Sequence, residues 1–321
     1  MYRPEIKVVD CTIRDGGLMN KSRFDLEMVR RVFRAVDASG VDIIELGYKN
    51  SKTMFDPKEF GLWRFCDEED LRRAVEGVER RAKIAVMQDA HKAYAEDLLP
   101  KSESVIDIVR IATYVKDVDK AIHLANAAVA KGYEACINIM SISQVIEREL
   151  NEALEQIEAE TKVLAVTIVD SFGVLYSEDV DYFVEKFKRH IKTKEIGIHC
   201  HNNKQLAYAN TIEGIIKGCN YVDGTLYGLG RGAGNCPLEL LVSFLKNPKF
   251  NLRPLVEVIG SEIMPLTKTI EWGYRIPYML DGVFNRHPDA AIRVMALPDG
   301  DPEKTDYAAF YDKSILDEVV R

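Results

Sequence analysis

The sequence predicts a (β/α)8 barrel with a small helical region after it. Eight short apolar runs alternate with longer amphipathic stretches over residues 1–247 of the 321-residue chain. Several helical stretches end on a glycine, and the next apolar run follows at once. Polar residues suited to catalysis sit just after those runs, where a barrel of parallel strands carries its active site.

The expected strands, in order, are Ile6–Cys11, Asp42–Leu46, Lys83–Met87, Val105–Ile111, Glu134–Met140, Leu164–Val169, Glu195–His199 and Tyr221–Leu226. The punctuation between them is clearest in Ala38-Ser39-Gly40-Val41-Asp42, Ala130-Lys131-Gly132-Tyr133-Glu134 and Lys217-Gly218-Cys219-Asn220-Tyr221. Glycine there supplies the left-handed residue that stops a helix. Strands joined through helices run parallel, and eight such units close into a barrel. The alternative is an open doubly wound sheet, which would carry a G-x-G-x-x-G turn after its first strand. Arg14-Asp15-Gly16-Gly17 stands there instead. After residue 247 the rhythm stops. Asn251–Lys268, Pro277–Phe284 and Lys313–Val320 read as helices, and the polar segment Pro298–Thr305 as a loop. Residues 248–321 are therefore expected to form a mostly helical C-terminal region that packs on the barrel mouth or serves as an interface.

Bulk properties exclude several functions. The formal net charge is −8, and no block of Lys or Arg occurs, which argues against binding nucleic acid or an acidic membrane surface. No apolar run is long enough to cross a bilayer, and no signal-peptide pattern is present. The cysteines (Cys11, Cys66, Cys136, Cys200, Cys219 and Cys236) form no C-x-x-C pair, as expected of reduced thiols in a cytoplasmic protein.

The chemistry is most legible in Gly197-Ile198-His199-Cys200-His201-Asn202-Asn203. Alternate residues of a strand point the same way, so His199 and His201 can hold one metal ion. Asp15 follows the first strand, and Asn235 follows the eighth within Gly228-Leu229-Gly230-Arg231-Gly232-Ala233-Gly234-Asn235. Barrel closure makes strands seven, eight and one neighbours, so the four residues can converge. Two imidazoles, a carboxylate and an amide oxygen suit Mn²⁺ best, with Mg²⁺, Co²⁺ or Zn²⁺ as alternatives. Such an ion would polarise a carbonyl and stabilise an enolate. Arg14 can set a guanidinium against the same oxyanion, and Glu45, ending strand two, can orient Arg14. Lys49, Asp170 and Arg231 are substrate-binding candidates.

Each motif also has a plainer interpretation. An isolated H-x-H usually binds no metal, R-D-G is often a turn with a surface ion pair, and glycine-rich turns often bind nothing. Glu45 and Asp170 can be helix caps, and Lys49 a surface lysine. The argument rests on their joint occurrence at the ends of strands one, two, seven and eight. His91 and His123 lie in expected helical stretches and His190 at a helix end, as surface residues. His287, in Asn285-Arg286-His287-Pro288, is set apart because a C-terminal helix can lean over the barrel mouth.

Taken together, these motifs resemble the DRE-TIM metallolyase superfamily of 3-hydroxy-3-methylglutaryl-CoA lyase, isopropylmalate and homocitrate synthases and 4-hydroxy-2-oxovalerate aldolase. The matching pieces are Asp10-Cys11-Thr12-Ile13-Arg14-Asp15-Gly16-Gly17, Ile44-Glu45, Asp170-Ser171, His199-Cys200-His201-Asn202 and Gly232-Ala233-Gly234-Asn235-Cys236-Pro237-Leu238-Glu239. The last motif, with Gly273-Tyr274, looks most like the aldolase branch. The resemblance implies a Mn²⁺- or Mg²⁺-dependent lyase that cleaves or forms a carbon–carbon bond through a metal-bound enolate of a 2-oxo acid such as pyruvate. It implies that Arg14 stabilises the enolate and that Asp15, His199 and His201 bind metal, with Asn235 a weaker carry-over. It also implies a homodimer and, for the aldolase branch, an aldehyde dehydrogenase partner.

One position departs from that branch. A catalytic histidine is expected three residues after the metal-binding aspartate, and Leu18 stands there. Leucine transfers no proton, so Tyr274, Tyr48, Lys49 or His287 must do so, or the reaction differs. The departure counts against the dehydrogenase partner. Two other functions stay in view: an acyl-CoA lyase or Claisen-type synthase, for which no basic cluster awaits the CoA phosphates, and a metal-retaining binding protein without catalysis.

Overall fold

The structure is a computed structural model and describes residues 1–319. Eight parallel strands close into a barrel in sequence order. They are β1 (Lys7–Asp10), β2 (Ile43–Tyr48), β3 (Lys83–Asp89), β4 (Ile108–Thr113), β5 (Glu134–Ile139), β6 (Ala165–Asp170), β7 (Glu195–Cys200) and β8 (Tyr221–Gly224). β8 pairs with β1 from Lys7↔Tyr221 to Asp10↔Gly224, which closes the ring.

A short helix α1 (Thr12–Gly16) follows β1 directly. The outer helices are α2 (Leu26–Ala38), α3 (Glu68–Val75), α4 (Val118–Ala130), α5 (Glu147–Glu160), α6 (Ser177–His190), α7 (Ala207–Lys217) and α8 (Leu238–Leu245). In α2 the spacing of Met28, Val29, Val32, Phe33 and Val36 places all five on the buried face. Asp25 accepts a hydrogen bond from the Met28 N–H and caps its start. Each such side chain contributes about 1.5–3 kcal/mol when fully buried. Gly40, Gly132 and Gly218, the expected helix stops, all have positive φ (84°, 95° and 111°).

The barrel interior is layered by the two-residue period of its strands. An apolar floor contains Val9, Ile43, Ala85, Ile108, Cys136 and Ala165. Two residues further along their strands, Glu45, Arg110 and Asp223 replace Ile43, Ile108 and Tyr221 with buried charge. That charged layer lies directly under the catalytic end.

Several boundaries differ from expectation. β4 starts at Ile108 rather than Val105 because Val105 donates its N–H to Glu68 (2.8 Å), and Asp107 accepts the N–H of Ile84 (2.9 Å) outside the ladder. His91 lies in a turn after β3, not a helix, and its ring pairs with Asp117. The expected helix Asn251–Lys268 is α9 (Leu252–Val258), a π-helical turn at Ile259–Ile263 and α10 (Met264–Leu266). Pro265 has no N–H to complete the α-helical ladder there, which favours the wider turn. α11 (Ile276–Val283) matches an expected helix, whereas α12 (Asp289–Met295) was not expected. Its signal was present: Ala291 and Met295, four apart, bury against Tyr278. The expected loop Pro298–Thr305 contains a short helix, α13 (Pro302–Thr305), with Pro302 at its first turn and Asp301 capping Glu303. The final helix α14 (Tyr307–Val319) starts six residues before Lys313, because Asp306 accepts the N–H of Ala309 (2.9 Å) and so caps it; the expected terminal residue 320 lies outside the described residues.

Helix α11 leans on the barrel mouth. Tyr278 packs on Ala233, and its carbonyl accepts the Asn203 side-chain N–H (2.9 Å). Among the described residues no helix is long and apolar enough to cross a membrane. All six cysteines are buried thiols.

Candidate metal centre

The short helix α1 delivers Arg14 and Asp15 to the mouth of β1, both buried. His199 is the penultimate residue of β7, and His201 lies just beyond the strand in an isolated bridge with Asn235. The N–H of Asn202 donates to the Gly234 carbonyl (2.8 Å), which holds the glycine-rich loop against the end of β7. A side chain at Gly230 would collide with the Asn235 amide, so the loop closes this tightly only with glycine there.

These residues meet around the Asp15 carboxylate. His199 Nε2 is 3.5 Å and His201 Nε2 3.7 Å from Asp15 Oδ2. The Asn235 amide nitrogen donates to the same oxygen. Arg14 Nη1 is 3.1 Å from Asp15 Oδ1, and Arg14 Nε donates to Glu45 Oε2 (2.7 Å). Asp15, His199 and His201 bring one ligand atom each within 4.8 Å of one another.

The outer nitrogen of each imidazole is occupied. His201 Nδ1 donates to the Asp170 carbonyl (2.9 Å), and His199 Nδ1 contacts Asp223 Oδ2 (3.0 Å). Each Nε2 is thereby left as the lone-pair atom facing Asp15, the usual arrangement of a ligating histidine. Burial pushes the His201 imidazole down to about 3, so it is neutral at pH 7. Burial would lower His199 too, but the carboxylates of Asp15 and Asp223 outweigh it and raise the group. Burial would raise Asp15, yet Arg14 and the two imidazoles hold it well below the usual carboxylate range.

The donor set fits a divalent cation. His199 Nε2, His201 Nε2 and Asn235 Oδ1 are all buried without a hydrogen-bond partner. Orphaned polar atoms cost about 1–3 kcal/mol each, and three beside one carboxylate are costly unless a cation completes them. The buried ion-pair network around them joins Arg14 and Arg110 to Asp15, Glu45 and Asp223, formally two positive against three negative, and the surplus within that network favours a cation.

Arg110 and Asp223 were missed in the sequence. Arg110 donates to both Asp223 oxygens (2.9 and 2.7 Å) and to Glu45 Oε2 (3.1 Å). It links the Arg14–Glu45 pair to the Asp223–His199 pair through the barrel centre. The signal was a lone charge inside each apolar strand, since charges at buried positions need partners. Removing one partner of such a buried pair costs about 3–5 kcal/mol. Asp223→Ala is therefore expected to lower the unfolding free energy by about 3 kcal/mol in urea titrations. A loss under about 1 kcal/mol would show that the network does not hold the barrel.

A cavity of about 500 Å³ opens above the centre, lined by Arg14, Asp15, Leu18, Tyr48, Met87, Asp89, Asn138, His199, His201 and Arg231 among others. The remaining candidates divide around it. Arg231 lines it, donates to the Ser171 carbonyl (2.8 Å) and contacts His287 Nε2 (2.7 Å). His287 stands behind Arg231, also paired with Asp289, and does not line the cavity. Lys49 points elsewhere and donates to the Cys66 carbonyl (3.2 Å). The Asp170 carboxylate accepts the N–H groups of Val174 and Leu175 (3.0 and 3.2 Å), so only its carbonyl reaches the centre. Tyr274 is half exposed and lines a separate cavity of about 800 Å³ behind the glycine-rich loop.

Residues 5–259 match the HMGL-like family. The chain belongs to that family. It is 30% identical over 309 residues, 96% of its length, to a 4-hydroxy-2-oxovalerate aldolase of Thermus thermophilus, and the match covers 82% of that relative. An oxaloacetate decarboxylase of Mycobacterium tuberculosis is 31% identical over 239 residues, 74% of this chain and 69% of that one. Among solved structures, a Bacteroides vulgatus domain provisionally named an aldolase superposes with TM-score 0.81 at 27% identity, over 98% of this chain and all of that one. An HMG-CoA lyase of Brucella melitensis shares the fold, with TM-score 0.65 at 17% identity, over 82% of this chain and 99% of that one. The HMGL-like chain is an enzyme of the carbon–carbon lyase class, as its aldolase relatives are.

Proposed function

We propose that the protein is a divalent-metal-dependent lyase that cleaves or forms a carbon–carbon bond of a 2-oxo acid by way of the enolate of pyruvate. One observation carries this proposal: a buried arginine, fixed by Glu45, stands beside a carboxylate and two imidazole nitrogens that lack partners, at the floor of one cavity. Asp15, His199 and His201 are the proposed ligands, with the unpartnered Asn235 Oδ1 as a fourth donor, and Mn²⁺ the preferred ion, with Mg²⁺, Co²⁺ or Zn²⁺ as alternatives. A cation held there supplies a Lewis acid for the 2-oxo group.

The protein's own groups do the rest. When the C3–C4 bond of a 2-oxo acid breaks, its electron pair is drawn into the C2 carbonyl and negative charge builds on the 2-oxo oxygen. Arg14 is already oriented by Glu45, so its guanidinium meets that charge without reorganising. Asn235 holds the Asp15 carboxylate in place. Arg231, braced by His287 and the Ser171 carbonyl, anchors a substrate carboxylate at the rim. Lys49 and Asp170 act as scaffold rather than as substrate ligands. The barrel, residues 1–247, carries every proposed metal ligand, and α11 of the C-terminal region that follows braces its mouth. The charge pattern favours a small acid as substrate rather than nucleic acid or a membrane surface.

Two bond cleavages share this enolate, and Leu18 bears on the choice. Aldol cleavage needs a base for the substrate hydroxyl, whereas decarboxylation of a 3-carboxy-2-oxo acid releases CO₂ without one. Leu18, in an apolar cluster with Tyr48, Met87, Ala112 and Met140, therefore favours decarboxylation as a second reading. The similarity to an oxaloacetate decarboxylase agrees with it. The test is metal-dependent pyruvate release from 4-hydroxy-2-oxovalerate and from oxaloacetate, measured side by side. Release from either, lost with EDTA, is expected. Release from neither by the metal-loaded protein would refute the proposal.

A further inference from the structure

The reaction leaves one group unassigned: once the bond has broken, the enolate carbon must take up a proton. Most side chains that line the cavity have no proton to give. The two imidazoles face Asp15, Arg14 is tied to Glu45 and Asp15, and Asp89 is ion-paired with Lys92 at 2.6 Å. The Ser171 hydroxyl accepts the Ser141 N–H (2.8 Å) and keeps its own proton, but an aliphatic alcohol is a far weaker acid than a phenol. Leucine fills position 18.

Tyr48 is different. It ends β2, lines the cavity beside Leu18 and Met87, and is only 8% exposed. Among the described residues its hydroxyl has no hydrogen-bond partner, so its proton is uncommitted. Behind its ring stands Arg64, from the segment between β2 and α3. The Arg64 guanidinium carbon lies 4.8 Å from the Tyr48 ring centroid, 5.2 Å from that of Phe55 and 5.0 Å from that of Phe60. Arg64 is buried, and its side chain makes no hydrogen bond and no ion pair among the described residues. The Asp89 carboxylate acts on it only at a distance, and a buried cation without an ion pair is costly. One pressed on the face of a phenol is complementary to the phenolate that appears when the phenol gives up its proton.

We propose that Tyr48 is the catalytic acid that protonates the enolate carbon, and that Arg64 is the positioning residue that stabilises the phenolate left behind. The proposal rests on the pyruvate-enolate function. In the step the Tyr48 O–H bond breaks and a C–H bond forms at the enolate carbon, made by the electron pair of the enolate double bond, while the carbonyl is restored. Water then returns a proton to the phenolate. In reverse, the phenolate removes a methyl proton of pyruvate, and that proton exchanges with solvent. Four charged groups act on the phenol: Arg14 and Asp15 from α1, Glu45 from β2 and Arg64 from the following segment. Burial pushes it above its ordinary value, Asp15 and Glu45 add to the rise, and Arg14 and Arg64 oppose it.

The test follows exchange of pyruvate methyl protons in D₂O by the Mn²⁺-loaded full chain, with metal content and thermal unfolding measured for each variant. Tyr48→Phe is expected to bind metal normally and to lose about 10²–10³-fold in exchange rate. The wild-type rate should rise with pH into the alkaline range, and that rise should vanish in Tyr48→Phe. Arg64→Met should displace the rise to higher pH and slow exchange roughly tenfold, with Arg64→Lys restoring part of it. Exchange by Tyr48→Phe within about threefold of wild type, or with the same pH rise, overturns the proposal alone. An Arg64→Met variant with lower stability but an unmoved pH profile overturns the role of Arg64. No exchange by metal-loaded wild type refutes the pyruvate function and this step with it.

Discussion

Arg14→Ala is expected to lower turnover about 10³-fold while the protein keeps its bound metal. The guanidinium is already in place before substrate arrives. Arg14 Nε donates to Glu45 at 2.7 Å, and Glu45 is held from its other side by Arg110 at 3.1 Å. Burial opposes its charge, but Glu45 and Asp15 outweigh that and raise the Arg14 pKa well above its ordinary value, so it stays charged at any working pH. An interaction that strengthens only as charge develops on the substrate acts on the rate rather than on ground-state binding. The loss should therefore fall on kcat, with KM for the 2-oxo acid changed little. The fold should survive, because Arg110 still pairs with Glu45 and a bound cation still faces Asp15. Steady-state kinetics and metal analysis on the same preparation check this. Normal turnover with the metal retained would remove Arg14 from the chemistry. It would also revive the view of the protein as a metal-holding barrel without catalysis.

Asp15→Ala and His201→Ala are each expected to lower metal affinity about 10²-fold or more while the barrel stays folded. Asp15 is the hub of the centre, touched by Arg14, His199, His201 and Asn235. Its loss removes the only carboxylate of the proposed ligand set. His201 has its ring fixed by the Asp170 carbonyl, so the Nε2 lone pair is pre-aimed and alanine removes an oriented donor. Metal per protomer after dialysis, with circular dichroism as the fold control, reads both variants. Full metal content in both would overturn the ligand assignment. A drop in both, with activity returning at high metal concentration, would support it.

The barrel was legible because its signals are local. Apolar runs, amphipathic stretches and three helix-stopping glycines recur along the chain, and each one states an element without knowledge of the others. The candidate centre was legible for another reason: closure in sequence order makes β7, β8 and β1 neighbours, so motifs far apart in sequence share one rim. What sequence did not show was direction within that rim. Lys49 and Tyr48 are adjacent, yet only Tyr48 lines the cavity, while Lys49 turns to the Cys66 carbonyl. Asp170 looked ready for substrate but spends its carboxylate on the following turn. Asn235, expected to offer its oxygen to the metal, uses its amide nitrogen to hold Asp15, and its oxygen remains without a partner. Arg110, Asp223 and Arg64 went unnoticed because a lone charge in an apolar run names no partner until the chain is folded. The C-terminal helices were read least well. Their boundaries depend on Pro265, on the Asp301 and Asp306 caps and on packing against Tyr278 rather than on period.

The measurement that tests the central claim most directly is metal-dependent exchange of pyruvate's methyl protons for deuterium, quenched with EDTA before NMR. The account predicts exchange by the metal-loaded wild type, none after the metal is stripped, and a loss of about 10³-fold in Arg14→Ala. Bound metal without exchange, or exchange undiminished in Arg14→Ala, would contradict it.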